Sequence, residues 1–183
     1  MSVLVEDLLT LTRLESRGDG EPARDPVDVD RIINEMVDEE SVRAPDQRVE
    51  VVSESPGRGI VPGDAEQLRR VILNLANNAL AHAAGGTHTW RTRVAGGEVV
   101  ISLTDEGPGI PREALGRVFD RFYRASTQRR SNGSGLGLAI VRSIVEAHGG
   151  RIEAASDGGG ATLTAYLPRT PRATPTSGGE PSA

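Results

Sequence analysis

The stretch that most constrains the fold of this chain is NGSGLGLAIVRSIVEAHGG, residues 132–150, in which three alternating glycines run directly into a predicted helix. Gly133, Gly135 and Gly137 allow positive φ angles and the close approach of a ligand to the backbone. A helix N-terminus presents unpaired N–H groups and positive potential, so this junction predicts an anion site. The spacing fits neither a Walker A loop, which needs Gly-Lys-Ser/Thr, nor a Rossmann fingerprint, which needs a preceding strand.

Length and charge narrow the classes of protein that remain. A chain of 183 residues suits one domain with a single core. Its formal net charge of −5 argues against a nucleic-acid partner, because phosphate backbones favour basic surfaces. The absence of cysteine excludes disulfides, thiolate metal sites and a cysteine nucleophile. With no long apolar run and no signal pattern, we expect the chain as given to be cytoplasmic.

Periodicity and composition divide the chain into four segments. Residues 1–17 have the apolar stripe of an amphipathic helix, and glycine and proline then mark a linker over residues 18–25. Residues 26–168 carry the patterns of a folded domain. Residues 169–183 are rich in Pro, Thr, Ser and Gly, which predicts a disordered tail.

Within the domain, strand and helix patterns are mixed. Pro62 and Gly63 predict a turn, with Asp64 as the N-cap of a long helix. The predicted strands are 27–29, 48–54, 88–94, 98–104, 151–156 and 161–167, and the predicted helices are 30–40, 64–83, 111–118 and 136–148. This order predicts an α/β two-layer sandwich in which a mixed sheet packs on helices.

The long helix carries an unusual polar stripe. Asn74, Asn78 and His82 are spaced four apart and therefore share one face. Asparagine is a poor helix former, and exposed helical positions are better filled by Glu, Lys or Arg, so the stripe favours a functional role. Amide oxygens are hard ligands that suit magnesium. The neighbouring face is predicted to be apolar and holds Leu73, Ala76 and Leu80.

Two further motifs carry candidate ligand-binding groups. In TDEGPGIP, residues 104–111, Asp105 ends a strand and precedes Gly107 and Gly109. Its carboxylate could accept hydrogen bonds from an amino group such as that of adenine, while the glycines let a flat ring lie against the backbone. In VFDRFYR, residues 118–124, both phenylalanines are predicted to anchor a loop into the core. Arg124 then offers a bidentate fork for phosphate oxygens.

Taken in order, the Asn-rich helix, Asp-x-Gly-x-Gly, Phe-Asp-Arg-Phe-Tyr-Arg and Gly-x-Gly-x-Gly resemble the N, G1, F and G2 boxes of the sensor histidine kinases. The resemblance covers about residues 24–168. Their catalytic and ATP-binding domain has the Bergerat-type (GHKL) fold shared with gyrase, heat-shock chaperone and mismatch-repair ATPases. The leading helix of residues 1–17 also looks like the second helix of the kinases' dimerisation and phosphoacceptor hairpin.

The resemblance implies a role for each matching position. Asn78 would ligate a Mg²⁺ ion that bridges the ATP phosphates, with Asn74 close to them. Asp105, followed by Gly107, would bind the adenine amino group; Gly109 would make room for the ring and His82 would lie beside it. In the lid, the residues implied to contact ribose or phosphates are Tyr123, Arg124, Gly133, Gly135, Leu136 and Gly137. Asn78 and Arg124 are the implied catalytic residues.

The chain departs from the family pattern in two ways. The family commonly has Lys or Arg just before the position of His82, where this chain has Ala81, so one phosphate contact is missing. None of His82, His88 and His148 stands in the sequence context of a phosphoacceptor histidine.

The implied function is therefore Mg-ATP binding for phosphoryl transfer, in two-component signal transduction, to a histidine on a domain absent from this chain. The implied partners are the phosphoacceptor helix hairpin of the same or a sister chain and a response regulator, and a membrane sensor is the expected parent. We expect the chain itself to be monomeric. Two alternatives remain open from the sequence: a non-catalytic interaction module with the same fold, and a serine kinase of the anti-sigma type.

Overall fold

A computed structural model describes residues 12, 25–43, 48–56, 58–82, 86–124 and 134–169. The strands are β1 (Asp25–Asp28), β2 (Arg48–Ser53), β3 (Ile60–Gly63), β4 (Thr87–Ala95), β5 (Glu98–Asp105), β6 (Arg151–Ser156) and β7 (Ala161–Pro168). The helices are α1 (Val29–Arg43), α2 (Ala65–His82), α3 (Arg112–Leu115) and α4 (Gly137–Ala147). Apart from Thr12, the predicted leading helix lies outside the described residues, as do most of the linker and the predicted tail after Arg169.

The strands form two sheets. The larger has the order β2-β4-β5-β7-β6, in which β2 runs parallel to β4 and the remaining neighbours are antiparallel. The smaller pairs β1 with β3. One face of the larger sheet is apolar because side chains alternate along its strands, as in β7, where every second residue is buried. This face packs against the helices, which confirms the predicted α/β sandwich.

In the described part of the chain, one apolar core lies between the sheet and helices α1, α2 and α4. Trp90 of β4, Ile101 of β5 and Leu163 of β7 are almost fully buried on the sheet side. They meet Leu75 of α2 and Ile140 of α4, which are fully buried. Since α2 and α4 pack on each other as well as on the sheet, the polar stripe of α2 is held against the N-terminal end of α4. None of the described helices is long and apolar enough to span a bilayer.

Asp64 caps α2 as predicted. Its Oδ1 accepts hydrogen bonds from the backbone N–H groups of Glu66 (3.0 Å) and Gln67 (3.1 Å), and its Oδ2 accepts one from the Gln67 side chain. The backbone N–H of Asp64 donates in turn to Nε2 of His148, 3.2 Å away, while Nδ1 of that ring lies 2.8 Å from the Ile144 carbonyl oxygen. His148 therefore joins the end of α4 to the start of α2.

Two predicted elements differ in the structure. Pro62 and Gly63 do not form a turn; they belong to β3 and pair with Pro26 and Asp25 of β1. This pairing gives the short apolar segment before α2 a partner strand, which outweighs its turn-prone composition. The predicted helix of residues 111–118 is also shorter, because its regular hydrogen bonding ends at Gly116.

Candidate functional site

The polar stripe of α2 lies at the edge of the core. Asn74, Asn78 and His82 are half-buried, whereas Asn77 is exposed. The buried face is made instead by Leu68, Val71, Ile72, Leu75, Ala76 and Ala79. Leu73 and Leu80, predicted to share the apolar face with Ala76, are only half-buried, so the apolar face is rotated from its predicted position.

Asn74 connects this stripe to the start of α4. Its side-chain nitrogen donates to the Arg70 carbonyl oxygen at 2.8 Å. Its Oδ1 lies so near Gly137 that a Cβ built on that glycine would be only 3.0 Å away. Gly137, the first residue of α4, is thus within van der Waals reach of the polar stripe. It lies at the N-terminal end of that helix, where free N–H groups favour anions.

Asp105 ends β5 on the core side of the sheet and is only 6% exposed. Its Oδ1 accepts a hydrogen bond of 2.9 Å from the N–H of Gly107, which orients the carboxylate at the start of the loop. Gly160, at the end of the β6–β7 turn, approaches the carbonyl oxygen of Asp105 so closely that no Cβ would fit there. Both the backbone and the side chain of Asp105 are therefore held by neighbouring backbone.

His82, the last residue of the polar stripe, is within electrostatic range of Asp105 and Arg124. Partial burial disfavours the charged ring and lowers the pKa of His82 from its ordinary value of 6.5. The carboxylate of Asp105 opposes this shift and the guanidinium of Arg124 adds to it. Since both groups influence the ring, the ends of α2, of β5 and of the Phe-rich segment (residues 118–124) lie within electrostatic range of one another. The lowered pKa leaves His82 neutral at pH 7.

The Phe-rich segment, VFDRFYR at residues 118–124, differs from its prediction in one residue. Phe119 packs against the core as expected, but Phe122 is 59% exposed and has a φ of 59°. A left-handed conformation is unusual for a bulky residue, and here the N–H of Phe122 donates to the carbonyl oxygen of Gly135 at 3.0 Å. The prediction that both phenylalanines are buried is therefore wrong for Phe122. Tyr123 follows, with its ring centre 4.7 Å from the guanidinium carbon of Arg117.

The glycine motif enters α4 through Leu136, whose side chain is fully buried in the core. Its backbone N–H donates to Oγ of Ser134 at 3.3 Å, and its carbonyl oxygen accepts the N–H of Ile140. Gly135 packs against the backbone of Phe122 and Tyr123. Gly133 lies outside the described residues. The sequence did not predict that Leu136 would anchor this segment, although an apolar residue between two glycines was a signal for it.

Two of the junctions between motifs are direct contacts, Asn74 with Gly137 and Phe122 with Gly135. The third is electrostatic, because the charges of Asp105 and Arg124 act on the ring of His82. Together the four motifs offer a carboxylate acceptor, amide oxygens, a guanidinium group and the N-terminus of a helix. This combination suits a ligand with an amino-bearing ring at one end and phosphates at the other. Within the described residues there is no cluster of three or more His, Cys, Asp or Glu side chains of the kind that holds a metal ion.

Comparison with known proteins shows the family to which the chain belongs. Residues 63–171 match the family described as histidine kinase-, DNA gyrase B- and HSP90-like ATPase. Over 169 residues the chain is 41% identical to the probable sensor histidine kinase TcrY of Mycobacterium tuberculosis, and the match covers 90% of this chain and 35% of that protein. It is 38% identical over 183 residues to the sensor protein SphS of Synechococcus elongatus, covering 94% of this chain and 44% of that protein.

Among solved structures, the mycobacterial sensor histidine kinase MprB superposes with a TM-score of 0.70 at 33% identity. That match covers 81% of this chain and 99% of the MprB chain. The chain spans less than half the length of TcrY and SphS.

Proposed function

The chain belongs to the family of histidine kinase-, DNA gyrase B- and HSP90-like ATPases, and we propose that it binds Mg-ATP and supplies the γ-phosphoryl group to a histidine of a phosphoacceptor helix hairpin. ATP binding follows from membership of the family. The metal, the individual contacts and the acceptor are the proposed part. In this role the chain is the catalytic domain of a sensor histidine kinase in a two-component system.

Asp105 and His82 form the adenine end of the proposed site. The carboxylate of Asp105 is already oriented by the Gly107 N–H. It accepts a hydrogen bond from the exocyclic amino group of adenine. The neutral ring of His82 lies beside the base and adds no charge there. Because Gly109 has no side chain, its backbone leaves room for the adenine ring. Tyr123 contacts the ribose.

The phosphate end is formed by the start of α4, by Arg124 and by the two asparagines of the polar stripe, Asn74 and Asn78. Backbone N–H groups of the glycine motif bind phosphate oxygens, and Arg124 adds a charged fork. Asn78, half-buried one turn beyond Asn74, supplies a hard neutral oxygen of the type that fits Mg²⁺. When bound, the ion neutralises charge on the phosphates. Asn78 and Arg124 then act as the catalytic residues by positioning and charge stabilisation.

The chain's own histidines do not suit the role of phosphoacceptor. His88 and His148 are buried, with exposed fractions of 1% and 5%, and His82 belongs to the proposed site. We therefore propose that the acceptor lies on the hairpin of the same or a sister chain, and that a response regulator receives the phosphoryl group from it. The domain itself is proposed to be monomeric and its full-length parent to be a membrane sensor.

The observation that carries the proposal is the approach of the Asn74 amide to Gly137 at the start of α4. On the same face of α2, the ring of His82 is within electrostatic range of Asp105 and Arg124. Calorimetry with ADP and a non-hydrolysable ATP analogue tests the proposal. Asp105→Asn should weaken ADP binding roughly tenfold to a hundredfold, because a hydrogen bond to a charged group contributes about 1.5–3 kcal/mol. Asp38→Asn, on the exposed side of α1, is the matched control and should bind as the wild type does.

Two further measurements test the metal and the reaction. Chelating Mg²⁺ should weaken binding of the triphosphate analogue more than binding of adenosine, because adenosine carries no phosphates for the ion to neutralise. A separately supplied phosphoacceptor hairpin should become labelled by γ-labelled ATP. Unchanged ADP affinity in Asp105→Asn would count against the adenine assignment, and failure to label the hairpin would favour a non-catalytic module.

A further inference from the structure

Ser156 is the last residue of β6 and lies in the same row of the sheet as Asp105. Ser156 pairs with Ala161 of β7, and Ala161 pairs with Asp105 of β5. Asp105 and Ala161 are both buried. Alternation along the strands therefore places the Ser156 side chain on the same side of the sheet as the carboxylate, although 51 positions separate 105 from 156 in the sequence.

The hydroxyl of Ser156 joins two loops. It accepts a hydrogen bond of 2.9 Å from the N–H of Ile110, in the loop that follows Asp105. It donates one of 2.6 Å to the carbonyl oxygen of Gly160, at the other end of its own turn. A hydroxyl has a single proton, so the bond to Gly160 fixes its direction and leaves a lone pair for Ile110.

Gly109 shows how closely the two loops fit. Its φ is 75°, and a Cβ at this position would lie 2.6 Å from Oγ of Ser156 and 3.1 Å from the carbonyl oxygen of Gly160. The loop thus passes directly over the hydroxyl. The need for glycine at position 109 arises in this structure from the β6–β7 turn, whose residues are distant from position 109 in the sequence.

The loop after Asp105 is consequently held at both ends. At its start, Gly160 packs against the carbonyl group of Asp105, and the Asp105 carboxylate binds the Gly107 N–H. At its far end, Ile110 is bound to Ser156. Ser156 acts at both ends of this loop. It binds the N–H of Ile110 at the far end, and it orients Gly160, which packs against Asp105 at the start.

We propose that Ser156 is a positioning residue for nucleotide recognition: by binding Ile110 and Gly160 it holds the loop in the conformation that aims the Asp105 carboxylate at the base. The inference rests on the proposed function. It adds a residue from outside the recognised motifs, on a strand at the far edge of the sheet, that acts only through other residues.

The test compares ADP with inosine diphosphate, which carries a carbonyl oxygen in place of the exocyclic amino group. The ratio of the two affinities measures how well Asp105 is aligned with that group. In Ser156→Ala, ADP affinity should fall about tenfold, equivalent to about 1.4 kcal/mol, with little change for inosine diphosphate. Ser102→Ala is the matched control, because Ser102 lies on the opposite face of the same sheet, where its hydroxyl is 3.5 Å from the Arg91 carbonyl oxygen.

Amide hydrogen exchange provides a readout that a general loss of stability would not produce. In Ser156→Ala the N–H of Gly107, which is bound to the Asp105 carboxylate, should exchange faster, while core amides such as that of Val71 keep their wild-type rates. An unchanged affinity ratio, or faster exchange at Val71 as well as Gly107, would overturn the inference. If the wild-type protein binds no ADP, the proposed function itself fails; if it prefers ADP and Ser156→Ala keeps that preference, only the inference fails.

Discussion

The contact between Gly63 and His148 allows a quantitative test of how α2 and α4 are joined. A Cβ added to Gly63 would overlap the imidazole ring of His148 and would lie 3.3 Å from Cδ1 of Leu68. The ring is held by Asp64 and Ile144, so it cannot turn aside without losing a hydrogen bond. Gly63→Ala should therefore disrupt the junction of the two helices.

The expected cost is the sum of two effects. Overpacking a well-packed site typically costs about 1–3 kcal/mol, and loss of the bond from Asp64 adds about 1 kcal/mol. We expect Gly63→Ala to lower the free energy of unfolding by about 2–4 kcal/mol. In a His148→Ala background the ring is gone, and the same substitution should cost less than about 1 kcal/mol because only the contact with Leu68 remains.

Urea unfolding of the four proteins in this cycle measures the coupling between the two positions. Gly116→Ala is the matched control, since a Cβ there meets nothing within 4 Å and its φ of −72° suits alanine. That control should change the free energy of unfolding by less than about 0.5 kcal/mol. Penalties that simply add in the double variant would refute the steric argument.

Three further outcomes are expected. Because burial lowers the pKa of His82, this residue takes up a proton more readily in the unfolded chain than in the folded one. The free energy of unfolding should therefore keep its full value above pH 6.5 and decrease as the pH falls below it. Urea unfolding of His82→Gln should show a smaller decrease, and an equal decrease would contradict the assignment. Asp64→Ala should destabilise the protein by about 1–2 kcal/mol through loss of the α2 cap, again measured in urea. Ala81→Lys, on the exposed last turn of α2, should tighten binding of a triphosphate analogue roughly threefold to tenfold in low-salt calorimetry and less in high salt; salt-independent tightening would exclude a charge effect.

The sequence predicted the long elements of the fold because each carried both a period and an end signal. For α2 the apolar period and the Asp64 cap agreed, and the structure contains both. β3 was missed because four residues that include Pro62 and Gly63 resemble a turn locally. Only pairing with β1, more than thirty positions earlier, makes them a strand, and a local pattern contains no information about such a partner.

The candidate site was predicted to a similar extent. The Asn stripe and the strand-end aspartate follow from residue type and spacing. In the structure Asn74 approaches Gly137, and His82 of the same stripe is within electrostatic range of Asp105. The exposure of Phe122 was not predicted, because it depends on a left-handed backbone that binds Gly135. Ser156 carried no signal at all, since a single serine at a strand end gains its role only from a loop that lies distant in the sequence.

Gly137 sets a limit on engineering this domain for heat resistance. Replacing a helical glycine by alanine is a standard stabilising change, worth about 0.4–1 kcal/mol where the backbone allows it. At this position the added methyl group would press on the amide of Asn74, 3.0 Å away, and displace a side chain that we propose lies close to the phosphates. A stabilising substitution chosen by helix propensity alone would therefore disturb the proposed phosphate end of the site, so Gly137 is a position to leave unchanged.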